Sequence, residues 1–388
     1  MRELQQDFST RNLKLILGAS RLGIQQIEVY HVTLGYREPF RIAPGATTET
    51  HNVIIRMTTD YDVVGWGESS PSKRVTGETV ESVIKALDKI APRLIGTCPL
   101  RIEHDVEVMD SIIPENPAAK AAVDMALHDI LGKTTRKPLF MLMGGYRTQV
   151  LTDITLGIKS SKEMARNAAS AAKRGFRALK VKVGVRPAED VERVRMIREA
   201  VGDDMQMRVD ANQGWTPRQA IDVLNKIEKF NIQFAEQPVS AHNFKGLLEV
   251  KKNSPVPIMA DESVHSPEDA YRLIRAEAVD FINIKLMKSG GILKARKIAE
   301  VAEAGGIPCM IGCMGESELG IAAGVHLAAA IRNIQYADLD SDLLLKYKFV
   351  KRGGCVVKNS MRMMSKESGL GVKEIDQNLL GKPLRSYR

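Results

Sequence analysis

The chain has 388 residues, 44% of them hydrophobic, and a formal net charge of +9. That length allows a large core and about two domains, and no apolar run approaches the ~20 residues of a membrane span. The lysines and arginines are scattered along amphipathic segments without an aromatic-basic platform, which argues against a nucleic-acid role, although the excess charge can still steer small anions.

Residues 1–22 read as an extension. Their main apolar run is Leu13 to Leu17, and Glu3 and Asp7 stand where a signal peptide carries positive charge only. A cytoplasmic protein with no membrane partner is expected. The cysteines Cys98, Cys309, Cys313 and Cys355 form no C-x-x-C pair, so neither zinc nor a disulfide framework is suggested. Residues 23–145 read as an α+β domain. Alternating runs over 24–30 and 51–57 flank a stretch turned by Pro44-Gly45, and helical periodicity covers 76–90, 101–113 and 117–131.

From residue 146 to 342 the pattern changes to eight apolar runs separated by helical segments. The first spans Val150 to Leu156, and the others end at Val183, Val209, Ala235, Ala260, Ile284, Ile311 and Ala337. Such alternation closes into a (β/α) barrel with its active groups at the C-terminal strand ends. Residues 343–388 are short, turn-broken segments expected to pack back on the first domain.

Charged groups recur at those strand ends. Asp210, Glu236, Asp261 and Lys285 follow one another at intervals of 26, 25 and 24 residues, about one strand, one helix and two loops each. Upstream, Lys180 and Lys182 stand at i and i+2 of one strand and so share a face. Mutual repulsion and burial would ease deprotonation of one of them. Three converging carboxylates without histidine or cysteine form a hard oxygen site suited to Mg²⁺. Flanked by Lys182 and Lys285 as opposed bases, such a site suits removal of a proton α to a carboxylate, and two bases favour racemisation or epimerisation.

These residues stand in Lys180-Val181-Lys182, Asp210-Ala211-Asn212, Glu236-Gln237-Pro238, Asp261-Glu262-Ser263 and Lys285-Leu286-Met287-Lys288. The set resembles the muconate-lactonizing-enzyme branch of the enolase superfamily, in which a lysine or histidine base works beside Mg²⁺. Ala122 to Asp129, Gly144-Gly145 and Gly369 to Val372 extend the resemblance to nearly the whole chain. It implies a (β/α)7β-type TIM barrel with an N-terminal α+β capping domain completed by the C-terminal segment. It also implies one Mg²⁺ per subunit on Asp210, Glu236 and Asp261, and Lys182 and Lys285 as the catalytic pair.

Asp338-Leu339-Asp340 looks like the D-x-D of dipeptide epimerases, which grips the substrate's α-ammonium group. Thr155, Lys180 and Cys313 match positions that line the dipeptide in that family. The expected activity is epimerisation of L-Ala-Xaa dipeptides at the C-terminal residue, in a homo-oligomer. The alternatives are an N-acylamino-acid racemase or o-succinylbenzoate synthase, and a non-catalytic binding or scaffold protein on the same fold. Ala-Glu epimerases of the family carry a loop arginine several residues beyond a Pro-Phe pair. Here Pro39-Phe40 is followed by Arg41-Ile42-Ala43-Pro44-Gly45-Ala46, with glycine or alanine at that offset. The loop from Phe40 to Thr47 is therefore expected to select an apolar or differently charged second residue. Lys288 is expected beyond the barrel mouth, Asp342 as a helix cap, and His128 and His326 as helix-packing residues. Glu262 reads equally as a cap or as a neighbour of the metal ligands.

Overall fold

The computed structural model describes residues 22–43 and 45–388. The extension up to residue 21 and Pro44 lie outside the described residues. The capping domain starts with a long antiparallel hairpin, β1 (Ile24–Ile42) and β2 (Gly45–Thr59), followed by β3 (Val64–Ser69). The hairpin extends far beyond the two short runs expected from the sequence. Ladder pairing continues from Ile24↔Thr59 to Ile42↔Gly45 across an irregularity between Gly35 and Phe40, and so carries the Phe40–Thr47 tip out over the barrel.

Three helices follow, α1 (Val80–Leu94), α2 (Ile102–Ile112) and α3 (Pro117–Thr135). The first starts four residues later than its periodicity suggests, because Thr79 caps it reciprocally with Ser82. Helix α3 is buried along most of its length. It lies so close to β3 that a β carbon at Gly67 would sit 1.8 Å from the Ala122 carbonyl oxygen.

Strand β4 (Gln149–Leu151) is followed by the eight parallel barrel strands: β5 (Ile154–Leu156), β6 (Ala178–Lys182), β7 (Gln206–Asp210), β8 (Ile232–Glu236), β9 (Ile258–Ala260), β10 (Phe281–Lys285), β11 (Cys309–Gly312) and β12 (Ile334–Asp338). The run from Val150 to Leu156, expected as one strand, is thus two. Gln149–Leu151 pairs antiparallel with Met361–Met363, and only Ile154–Leu156 joins the barrel. The first and last barrel strands meet where the Asp153 N–H donates to the Ala337 carbonyl at 3.3 Å.

Seven helices of nine residues or more alternate with these strands. Capping boxes at Ser160/Glu163, Thr216/Gln219 and Ser266/Asp269 start three of them, the last two with proline in the first turn. In place of an eighth barrel helix, β12 is followed by the short helix Ser341–Leu344, giving the (β/α)7β form.

The tail runs through β13 (Val350–Gly353), β14 (Val356–Lys358), β15 (Met361–Met363), β16 (Val372–Ile375) and β17 (Arg385–Tyr387). Strand β17 adds to the edge of the capping sheet against β1, with Ile27↔Tyr387 and Val29↔Arg385 in register. Buried Asp129 on α3 joins three parts of the chain, accepting from Trp66 N at 3.0 Å, Lys133 Nζ at 2.7 Å and Leu370 N at 2.8 Å. Among the described residues, no helix is long and apolar enough to cross a membrane.

Candidate active site

Every second residue of a barrel strand points inward. That rule stacks the interior in layers. At the floor, Phe234, Met259 and Met310 pack with Phe281 and Tyr336. The Arg208 guanidinium lies 5.3 Å from the ring centroids of both Phe234 and Tyr336 and 3.1 Å from Asp153. Farther up the strands, the inward residues become Lys180 and Lys182 (β6), Asp210 (β7), Glu236 (β8) and Lys285 (β10), with Asp261 just past β9 and Asp338 and Asp340 at and beyond the end of β12.

Asp210, Glu236 and Asp261 are at most 1% exposed and each offers an oxygen within 4.8 Å of the others. Glu236 Oε2 and Asp261 Oδ1 are buried without a hydrogen bond, although lysine nitrogens lie 2.7 and 2.6 Å away. Burial, and after it Asp210, pushes the Glu236 carboxyl up to about 8. Three hard oxygen donors within 4.8 Å of one another, two of them without a hydrogen bond, fit a small divalent cation such as Mg²⁺.

The lysines divide around this group. Lys182 Nζ donates to Asp210 Oδ2 at 2.6 Å and Asn212 Oδ1 at 3.1 Å, and Lys285 Nζ donates to Asp261 Oδ2 at 2.7 Å. Strands β6 and β10 are four places apart in the eight-stranded order, so the two amines face each other across the barrel. Burial works against the Lys285 cation, but Asp261 together with Glu236 and Glu262 outweighs it and raises its pKa. On Asp210 burial is likewise outweighed, by Lys182 and Lys180, and its carboxyl is held well below the usual range.

Lys180 is not simply a repelling neighbour of Lys182. It donates to Glu236 Oε1 at 2.9 Å and Asp338 Oδ2 at 2.6 Å and lies 3.0 Å from Asp210. These acids overcome the cost of burial and keep it a cation.

A second acid group, Asp338 and Asp340 with the Cys313 thiol, lies beside the first. Asp340 Oδ2 accepts from Thr155 N at 2.6 Å, and the Thr155 hydroxyl donates to Asp338 Oδ1 at 3.3 Å. Burial and the charge of Asp338 push Asp340 up to about 7, the response of a carboxylate short of positive charge. All ten site residues expected from the sequence thus converge on one region.

Two expectations fail. Lys288 is not beyond the mouth: the short helix Leu286–Ser289 turns it back, 2% exposed, so that its ammonium lies 2.6 Å from Asp261 Oδ1 and also donates to the Asp261 and Asn283 carbonyls. Asp342 is not a free cap, because it forms a buried ion pair with Arg362 from the tail. Glu262 takes the neighbouring role, accepting from Asn212 Nδ2 at 3.2 Å. His128 and His326 pack within helices, as expected.

The sequence reading missed Asn283, which donates to Glu236 Oε1 at 2.8 Å, and Gln237, whose Oε1 accepts from Asp261 N and Ser263 N. The i, i+2 rule that picked out Lys180-x-Lys182 would have found Asn283-x-Lys285, Arg208-x-Asp210 and Asp153-x-Thr155 as well.

The capping domain roofs the mouth. A cavity of about 610 Å³ is bounded below by Lys182, Asn212, Glu262 and Lys285 and above by the β1–β2 hairpin and residues 70–81. A recess of about 50 Å³ beside it reaches Thr155, Asp338 and Asp340 under Tyr36 and Phe40.

A capped barrel with three strand-end acids between opposed lysines defines an enzyme of the enolase superfamily. Residues 25–144 match the mandelate racemase/muconate lactonizing enzyme N-terminal domain and residues 163–378 the enolase C-terminal domain-like family, and the chain belongs to this family. The L-Ala-D/L-Glu epimerase of Clostridium acetobutylicum is 42% identical over 356 residues, 91% of this chain and 99% of that protein. The hydrophobic dipeptide epimerase of Enterococcus faecalis is 42% identical over 90% of this chain and 99% of that protein. The crystal structure of the Enterococcus faecalis dipeptide epimerase, complexed with Mg and the dipeptide L-Leu-L-Tyr, matches with a TM-score of 0.89, covering 91% of this chain and 100% of that one. The N-succinyl-L-Arg/Lys racemase of Bacillus cereus is 37% identical over 92% of this chain and 96% of that protein. The protein is accordingly an isomerase of the racemase and epimerase class.

Proposed function

We propose that the protein is a Mg²⁺-dependent dipeptide epimerase that inverts the α-carbon of the C-terminal residue of L-Ala-Xaa dipeptides by proton transfer between Lys182 and Lys285. The observation that carries this reading is the buried Asp338–Asp340 pair beside the opposed lysines, with Lys182 lining both the main cavity and the recess that holds the pair. Two carboxylates there suit the three donors of an α-ammonium group. An N-acylated amino acid brings no cation to that place, so an N-acylamino-acid racemase or succinylbenzoate synthase leaves the pair without a use.

Asp210, Glu236 and Asp261 would hold one Mg²⁺ per subunit, whose charge favours loss of a proton α to the substrate carboxylate. The chain's own residues supply the rest. Lys182 takes the α-proton of the L epimer and Lys285 that of the D epimer, and each returns a proton to its own face. Lys180, kept cationic by its three acid neighbours, opposes the negative charge that develops. Thr155, through its amide and hydroxyl, holds the acid pair in place.

Incubating the protein in heavy water with L-Ala-L-Xaa dipeptides and with the matching N-acetyl amino acids tests the reading by α-deuterium incorporation. Dipeptides should exchange and the N-acetyl compounds should not. Chelator or Asp261→Asn should abolish exchange. Exchange at the full rate with chelator present would remove the metal from the reading, and exchange confined to the N-acetyl compounds would remove the dipeptide.

A further inference from the structure

Most of the charged groups lining the 610 Å³ cavity have a hydrogen-bond or ion-pair partner within the protein. Glu49 is 3.2 Å from His51. Glu78 is buried and accepts from Ala118 N and Ala119 N at 3.0 to 3.2 Å. Glu81 is held by its own backbone N–H and the Thr79 side chain at the start of α1, and Glu262 accepts from Asn212. Lys182 and Lys285 lie on Asp210 and Asp261. Two lining charges remain, Lys73 and Arg74, on the loop that follows β3. Both are exposed, and neither makes a hydrogen bond or ion pair with the described residues. Lys73 and Arg74 are thus the lining cations that have no acid partner among the described residues.

Arg74 also has a fixed neighbour. Its guanidinium lies on Gly45 at the tip of the β1–β2 hairpin, where a β carbon would stand 2.7 Å from Nη2, 3.0 Å from Nη1 and 3.2 Å from Cζ. With φ at +150°, position 45 is also in a backbone region that favours glycine. Any side chain at 45 would expel the guanidinium. The hairpin tip therefore carries glycine at position 45 and seats there an arginine delivered by the adjacent loop.

Taking the dipeptide reading as its basis, we infer that Arg74 is a specificity-determining residue that receives an anionic side chain on the substrate's second residue. The preferred substrates are then dipeptides ending in an acidic amino acid, opposite to the expectation drawn from the hairpin sequence alone. A planar guanidinium matches a carboxylate through two parallel hydrogen bonds, whereas an amide of the same shape can satisfy only part of it.

The test compares kcat/KM for L-Ala-L-Glu, its isostere L-Ala-L-Gln, and L-Ala-L-Leu. The protein should prefer Glu over Gln by about tenfold or more. Arg74→Met should reduce that Glu-to-Gln ratio about tenfold, chiefly through KM, and Arg74→Lys should restore part of it. Gly45→Val, which displaces the guanidinium without removing it, should lower the same ratio. A preference for Gln or Leu over Glu, or an Arg74→Met variant whose ratio is unchanged, overturns the inference and leaves the epimerase reading standing. Absence of exchange with every dipeptide overturns both.

Discussion

Buried Glu68, on β3 of the capping domain, is a direct link to the barrel. Its Oε1 accepts from Asn52 Nδ2 at 2.7 Å and Ser317 N at 2.9 Å, and its Oε2 accepts from the Ser317 hydroxyl and from Gly320 N, both at 2.7 Å. Two of these partners are backbone amides at the N-cap (Ser317) and in the first turn (Gly320) of helix Glu318–Ala330, which follows the loop carrying Cys313 and Met314 into the cavity wall. Glu68→Ala strands four donors. At ~1 kcal/mol for each buried donor left unpaired, the lower end of the usual range, the loss is ~4 kcal/mol. Glu68→Gln behaves differently. In either amide orientation one oxygen keeps two donors, the Ser317 hydroxyl or the Asn52 amide can reorient, and one backbone N–H is left facing the new NH₂. That places its cost at ~1–2 kcal/mol. Urea unfolding of the three proteins measures both values, and kcat/KM should fall in the same order as the roof of the cavity loosens. Equal stabilities for the alanine and glutamine variants, or an alanine variant within about 0.5 kcal/mol of wild type, would refute the reasoning.

The two lysines should each act on one face: Lys285→Ala should stop net epimerisation yet still exchange the α-proton of the L epimer, and Lys182→Ala should spare exchange of the D epimer. Loss of the same epimer's exchange in both variants would replace two bases with one. Buried His326 accepts from Phe140 N at 3.0 Å, and burial holds its pKa down to about 4. Because the unfolded chain takes the proton first, stability should fall as pH drops from 6.5 toward 4, by up to ~3 kcal/mol. His326→Asn should lack that part of the slope when unfolding midpoints are compared across this range. Gly67→Ala forces β3 off α3 at the Ala122 carbonyl and should cost ~3 kcal/mol or more, read as a lowered Tm.

The site was legible where it obeys a local rule. Asp210, Glu236, Asp261 and Lys285 stand at strand ends spaced by one βα unit, and Lys180 and Lys182 share a face because strand side chains alternate. What escaped depends on partners distant in the chain. Gln149–Leu151 leaves the barrel for a strand more than 200 residues later, Asp342 meets Arg362, and Arg74 meets Gly45 only because two loops cross. Lys288 was misplaced for a different reason: a single helical turn after β10 reverses the direction of its side chain, and such a turn leaves no periodicity to detect.

The pairing of β17 with β1 has a consequence for the order in which the molecule can assemble. Ile27 and Tyr387 are neighbours in one sheet, yet the entire barrel is synthesised between them. The capping sheet therefore stays one strand short while the barrel emerges, and β1 presents an unpaired edge for most of translation. Closing a loop of this length costs only about 0.6 kcal/mol more than closing one half as long, since the entropy grows with the logarithm of length. The delay is thus one of timing more than of free energy. Refolding from denaturant, with the whole chain present from the start, should seat β17 earlier relative to the barrel than vectorial synthesis does, and a chain truncated before Arg385 should expose β1 as a site for edge-to-edge aggregation.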